Sequence, residues 1–312
     1  MEPLNRTAVE LVDEALDFAG ELAIGAHELE NGATVLDFGV EHRGGVEAGL
    51  LLAEIAAAGL ASVQTRLGRV DGHPLTHVEL VTDHPDLALL GSMRGGWELA
   101  VDGYEALAGG PARAIVAEEA VFDALGYAEH AEFGVLVLES DRLPTAAVAD
   151  TVAERTGLDA QDVFLAVCPA ASVAGSVLAA ARAAEVTCGR LHDLGVDPGE
   201  LVSTAASAPV PPVAETESAA LARGTDAVAY GGEVQMTLGT GAADADLADL
   251  ASTASGTYGR PFADVFAAVD WDYAAVEASA FGPAAVTADV LGGPTHALGE
   301  RDDAVLAESF AI

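Results

Sequence analysis

The chain contains no lysine: all 13 of its basic residues are arginine, set against 50 aspartates and glutamates in 312 residues, for a formal net charge of −37. A surface so short of positive charge repels phosphate backbones and anionic headgroups, which excludes nucleic acid and membrane surfaces as partners. In dilute buffer the like charges also push the folded chain apart. At about 1 M salt the Debye length shrinks to roughly 3 Å and that repulsion is screened. Lysine exposes a long apolar stem that aspartate does not. An acidic, lysine-free, alanine-rich chain is therefore expected to work in concentrated salt. The acidity says where the protein works and not what it does.

Cysteine is nearly absent too. Cys168 and Cys188 are the only two. They are too few for a disulfide framework or a Cys-rich metal site and read as small apolar packing residues. No uncharged apolar run reaches the roughly 18 residues of a membrane span. The N-terminal MEPLNRTAVELVDEAL carries acids where a secretory signal needs an apolar stretch, so the expected location is cytoplasmic. Apolar residues are plentiful: at 51% of the chain they supply a sizeable core.

Apolar spacing at three and four residues (Val9, Leu11, Val12, Ala15, Leu16, Ala19, Leu22, Ala23) predicts a helix over 7–30, broken by Asn31-Gly32. ATVLDFGV reads as a strand, and GLLLAEIAAAG as a second apolar segment. SVQTRLGRV and LTHVELVTD read as strands around the turn Asp71-Gly72. Residues 83–113 are rich in glycine and predict no regular element, a composition that suits a binding loop. Beyond them come a strand at 132–140 and a helix at 145–157 closed by Gly157. The strand VFLAVC then leads into a long helix from about Ser172 to Leu194. LVSTAAS is a strand, followed by a helix near 215–223, the strand AVAYGGEVQMTL, a helix near 244–254 and the short helix PFADVFAAV. AAVTADVL and AVLAESF read as closing strands. Strands and helices alternate without strict βαβ spacing. The expected class is α/β with mixed α+β layers, in two α/β domains with a cleft between them. The boundary is placed near residue 140, giving domains 1–140 and 141–312, with discontinuous domains left open.

Familiar motifs fail. GTGAAD at 239–244 follows a strand as a dinucleotide fingerprint should, but Asp244 stands at the third glycine position and would repel a pyrophosphate. It reads as a turn and helix cap. No P-loop and no G-x-S-x-G elbow is present. His73 and His77 lie four apart at the start of a strand, about 13 Å from each other, too far to share a metal. The histidines read as solvated or hydrogen-bonded side chains, and no metal site is expected.

One family is resembled over nearly the whole chain. ENGATVLDFGV at 30–40, GGVEAG at 44–49 and AGLASV at 58–63 look like the opening of methenyltetrahydromethanopterin cyclohydrolases. TDHPDLALLGSMRGGW at 82–97 is similar to that family's TDHP…LGS-x-x-AGW block, with Gly95 where alanine is usual. GGPARA at 109–114 resembles GSGPARA, with Gly109 in place of serine. PAASVAGSV at 169–177, the Arg182-x-x-Glu185 pair, GTDAVAYGG, YGRPF and FGPAAV follow in order. Arg94 and Arg260 stand where the family carries lysine, in line with the absence of that residue. Two blocks depart more. G-x-G-R-C-P is eroded to TAASAPV at 204–210, and the ND-x-x-AMG-x-TND stretch to ESAALARGTD at 217–226. These departures bear on which pterin is taken, tetrahydromethanopterin or tetrahydrofolate.

The resemblance implies addition of water to a cationic methenyl carbon held between two ring nitrogens, then C–N cleavage to a formyl pterin. That carbon is already electrophilic, so the implied reaction uses no cofactor; the tetrahydropterin is the substrate. It needs a base for the water, a group to protonate the leaving nitrogen, and a pocket to orient both. The resemblance assigns the catalytic roles to Glu185 and Arg182. Three residues apart on a helix, they share a face. By spacing alone the better reading is an exposed ion pair worth about 0.2–0.5 kcal/mol, since such pairs are common, and the resemblance reverses that preference. A guanidinium favours the ionised glutamate while burial opposes it.

Candidate substrate-binding residues are Ser92, Arg94, Gly110, Arg113, Ser172, Ser176 and Tyr230. Ser172 and Ser176 can bind an anionic tail or the pterin ring at a helix start, or Ser172 can simply cap it. Arg94 and Arg113 can hold carboxylates or phosphates of the substrate, or form structural ion pairs. Tyr230 can stack on the pterin or sit in the core. A homotrimer is implied by resemblance alone. The alternatives are a pterin-binding protein without catalysis and an interaction protein whose acidic surface meets basic partners.

Overall fold

The computed structural model describes residues 2–312. Its contacts divide the chain into two units, one running to Ser62 and resuming over Leu87–Leu178, the other made of Val63–Asp86 and Ala179–Ile312. Where the sequence placed one boundary near residue 140, the chain passes between units after Ser62, Asp86 and Leu178.

Each unit is a mixed six-stranded sheet with helices, with strands and helices numbered in chain order. The first sheet has the order β1 (Gly25–Glu28), β2 (Thr34–Asp37), β8 (Val163–Cys168), β7 (Gly134–Glu139), β6 (Tyr104–Gly109), β5 (Trp97–Val101). The central pairs β2–β8 and β8–β7 are parallel, and the flanking pairs antiparallel. Parallel central strands need cover on both faces, and β7 is buried from Gly134 through Leu138. Leu136 and Leu138 pack with Val148 and Val152 of α6 (Ala146–Thr156). Val135 and Val137 alternate to the other side, where α1 (Leu4–Asp17) and α3 (Val46–Ala56) meet each other and β7. Leu4, Ala8, Val12 and Ala15 form the inner stripe of α1, and burying a residue such as Leu4 is worth about 1.5–3 kcal/mol. The orphan N–H groups at the start of α1 are taken by Glu129, which accepts from Leu4 N at 2.8 Å and Asn5 N at 3.0 Å. Short helices α2 (Ala19–Leu22), α4 (Arg113–Val116) and α5 (Ala120–Leu125) complete this unit, with most of α7 (Val173–Ala181).

The second sheet has the order β12 (Thr295–Gly299), β11 (Ala285–Val290), β10 (Glu233–Leu238), β9 (Leu201–Pro209), β4 (His73–Thr82), β3 (Ser62–Val70). Only β10–β11 is parallel among its registered pairs. α8 (Ala183–Asp193) packs on β9 and β10, and α9 (Glu217–Gly231) on β9. α10 (Phe262–Ala268) and α11 (Asp303–Phe310) pack on α9. Their core joins Phe262, Phe266, Tyr230, Leu306 and Phe310. The α/β class with two such units agrees with expectation.

Several elements differ from those expected. The helix over 7–30 stops at Leu22, because Ala23 turns left-handed (φ 54°) and feeds β1. The irregular 83–113 stretch holds a π-helix at Asp86–Met93 and the β5–β6 hairpin. Its Asp102-Gly103 turn has φ of 51° and 80°, the type I′ geometry for which Asp-Gly is the usual sequence. The long helix over 172–194 breaks at Arg182 into α7 and α8. AVAYG is the end of α9 rather than strand, continuing a helix capped by Thr216, whose hydroxyl accepts from Ala219 N. No α-helix forms at 244–254, where Asp246 bonds its own chain at Ala248 N and competes with the helical ladder. AVLAESF is helix α11, started by Asp302, whose carboxylate accepts from Ala304 N and Val305 N.

Candidate active site

Arg182 stands at the break between α7 and α8. Its N–H bonds Ala179 O at 3.3 Å and its carbonyl accepts from Val186 N at 2.9 Å. Glu185 occupies the first turn of α8, where the positive end of the helix dipole favours a carboxylate. Arg182 Nε lies 3.8 Å from Glu185 Oε2, with the side chains 20% and 9% exposed. The pair is thus partly sheltered and in charge contact at a distance longer than a hydrogen bond. Small buried residues (Ala183, Ala184, Thr187, Cys188) seat this turn in the unit. Burial pushes the Cys188 thiol up to about 12, and the negative charges of Glu185 and Asp86 add to the shift. Such a thiol is an inert packing group.

Asp86 is a carboxylate to which the sequence assigned no role. It opens the π-helix, a rare geometry frequent at functional sites. The polar TDHPD run was the available signal: Thr82 Oγ1 accepts from His84 N and folds this turn.

The first unit gathers Ser92, Arg94, Gly110 and Arg113. Gly110 N bonds Ser92 O at 2.8 Å, and Arg113 Nη1 donates to Ser92 O at 3.1 Å and Arg94 O at 2.5 Å. Arg113 is fully buried and grips Glu119 with two bonds, Nε–Oε1 at 2.9 Å and Nη2–Oε2 at 2.6 Å. Its fork is consumed by the protein itself, so its place is that of a clamp on the 92–94 backbone. Ser92 is likewise buried and donates to Ala56 O at 2.5 Å. Gly110 has φ 113°, and a Cβ there would meet Val135 O at 2.9 Å. Arg94 is partly exposed.

Ser172 caps α7: its Oγ accepts from Gly175 N at 2.9 Å and donates to Pro169 O at 2.8 Å. Ser176 follows one turn on, 4% exposed. Tyr230, in the second unit, is a core residue. It is 2% exposed and surrounded by Tyr258 and Phe262. Its hydroxyl donates to Arg260 O at 2.6 Å and accepts from Arg260 N at 3.2 Å. It fastens the YGRPF loop and has no face left for a ligand ring. Beside it, Asp226 is fully buried and its carboxyl is pushed up to about 7 by burial, although Ser309 and Phe262 N bond it.

The GTG turn is occupied by the chain's own carboxylate. Glu200 Oε2 accepts from Gly241 N at 2.8 Å, and a Cβ on Gly239 would collide with the same oxygen. No nucleotide phosphate fits there. His77 is 1% exposed and its Nδ1 sits 3.2 Å from Leu75 O. Among the described residues the one cluster with metal-ligating spacing is His27, Asp37 and His42.

Two mixed α/β units, with a part-sheltered glutamate–arginine pair at a helix start in the second, define an α/β protein with a candidate acid–base pair. The chain belongs to the family described as Cyclohydrolase (MCH), which it matches over residues 3–310. It is 53% identical, over the whole length of both chains, to a protein named methenyltetrahydromethanopterin cyclohydrolase from Halobacterium salinarum. It is 34% and 33% identical, again over full lengths, to proteins of the same name from Methanocorpusculum labreanum and Methanosphaerula palustris.

Proposed function

We propose that this protein hydrolyses the methenyl bridge of a methenyl-tetrahydropterin to the formyl-tetrahydropterin. The observation that carries the proposal is Glu185, nearly buried at the start of α8 with the Arg182 guanidinium 3.8 Å away, in a chain matched from end to end by cyclohydrolases. Water oxygen bonds to the cationic methenyl carbon while Glu185 takes one of its protons. The hydroxyl adduct then loses its second proton as the carbon–nitrogen bond breaks, and the freed nitrogen is protonated, leaving a formyl group on the other nitrogen. One proton is released overall. Arg182 orients the carboxylate and holds its charge, and that charge also favours the cationic bridge before attack. The electrophile comes with the substrate, so the protein's task is positioning and proton transfer.

Arg94, Ser172 and Ser176 are the residues we assign to the substrate, Arg94 to an anionic group of its tail. The protein works as a homotrimer in a salt-rich cytoplasm. The trimer is inferred from the family resemblance; the salt from the −37 charge without lysine. No described helix is long and apolar enough to cross a membrane.

The test is spectroscopic. Methenyltetrahydromethanopterin and methenyltetrahydrofolate each lose their methenyl absorbance on hydrolysis. Protein in 2 M KCl is expected to bleach the first faster than the second. Faster bleaching of the folate would reassign the pterin; tight binding of either with no bleaching would make this a pterin-binding protein instead of an enzyme.

A further inference from the structure

We propose that His27, Asp37 and His42 form a binding site for one divalent transition cation of the zinc class, independent of the catalytic pair. The three side chains come from β1, the end of β2 and the loop that follows it, and one ligand atom from each lies within 4.8 Å of the others.

Three observations support the site. First, His27 Nε2 is buried with no hydrogen-bond partner, and an orphaned buried polar atom is costly unless something binds it. Second, Gly25 stands directly across from Asp37 in the β1–β2 register. A Cβ on Gly25 would lie 2.4 Å from His42 Nδ1 and 3.0 Å from His27 Nε2. Both nitrogens therefore converge on one small space that only glycine leaves open. Third, Asp37 is fully buried and anchored: Oδ1 accepts from Gly39 N and Val40 N, and Oδ2 from Glu41 N and His42 N.

His42 Nδ1 sits 2.9 Å from Asp37 Oδ2. On a side chain 43% exposed, the ring proton moves to Nε2 when the cation displaces the Nδ1–Asp37 hydrogen bond, and Nδ1 then offers its lone pair to the ion. Two imidazole nitrogens and one carboxylate oxygen, with open positions toward solvent, make the three-ligand set that suits zinc, cobalt or iron(II). Binding would pin the loop after β2 to β1. That loop abuts the cap of α7, since a Cβ on Gly39 would lie 2.7 Å from Ser172 Cβ.

The experiment uses the full chain, stripped with chelator and titrated with cobalt(II) in 2 M KCl, where weak binding to surface carboxylates is screened. One equivalent is expected to give the intense visible bands of a low-symmetry, nitrogen-bound ion, and one equivalent of zinc to abolish them. His27→Gln and His42→Gln should each weaken binding by about 100-fold or more, and the exposed His130→Gln should not change it. A spectrum that stays that of the aqueous ion, or bands that survive both variants, overturns the proposal. If the variants do not fold, imidazole NMR of the wild-type chain with zinc decides: shifts at His27 and His42 support the site, and their absence overturns it.

Discussion

Of the arginine–glutamate pairs in this molecule, Arg113–Glu119 in the first unit and Arg182–Glu185 in the second are built differently. In the first unit Arg113 is fully buried, grips Glu119 through two short bonds and spends its remaining donors on backbone carbonyls. In the second, Arg182 stays 20% exposed and touches Glu185 at 3.8 Å. A bidentate grip immobilises a carboxylate and fills its lone pairs. A charge contact at 3.8 Å is longer than a hydrogen bond and does not grip the carboxylate in that way. The first arrangement holds a chain segment; the second is the pair to which we assign the chemistry.

Exchanging chemistry at each pair sharpens that contrast. Glu185→Gln is expected to cost about 10²–10⁴-fold in turnover with an unchanged melting temperature; equal turnover would erase the distinction between the pairs. Arg113→Met is expected to cost about 3–5 kcal/mol of stability, since it strands Glu119 and the carbonyls at Ser92 and Arg94. Urea unfolding in 2 M KCl measures it, and an unchanged midpoint would mean that the clamp holds nothing.

Asp226 supplies a third case, a buried carboxylate bonded by Ser309 and Phe262 N in place of an arginine. Its folded pKa of about 7 exceeds the ordinary 3.8. The folded state therefore holds the proton that the unfolded chain has released, and stability falls as pH rises from about 4 to about 7. With roughly 1.4 kcal/mol per pKa unit, a few kcal/mol are at stake. Asp226→Asn should remove that slope and raise the melting temperature at pH 8; an identical pH profile would contradict it. The smallest effect expected is at Arg182→Lys, about tenfold in kcat with little change in stability, because the charge stays and the planar fork goes.

Much of the fold was legible because alternation and glycine turns are local signals. β3, β4, β7 and β8 stand where their apolar patterns put them. Tertiary context overrode pattern elsewhere. AVLAESF alternates well enough for a strand, yet Asp302 caps it as helix and Phe310 enters the α9 core. Arg182 and Glu185 were visible as an i,i+3 pair, but their partial shelter was not, since it depends on how α8 sits on β9 and β10. Arg113 shows the limit most clearly. A lone cation beside glycines reads as a ligand anchor, and only the folded chain brings Glu119 and three carbonyls around it. The β5–β6 hairpin was missed within the glycine-rich 83–113 stretch, although its Asp102-Gly103 turn carries a local signal.

The most direct measurement sets the two glutamates against each other: methenyl-pterin bleaching per folded molecule, alongside thermal melting, for Glu185→Gln and Glu119→Gln in 2 M KCl. Glu185→Gln should melt like the parent and fail to bleach, while Glu119→Gln should melt earlier and, where folded, still turn over. Bleaching at the parent rate by Glu185→Gln would contradict the account.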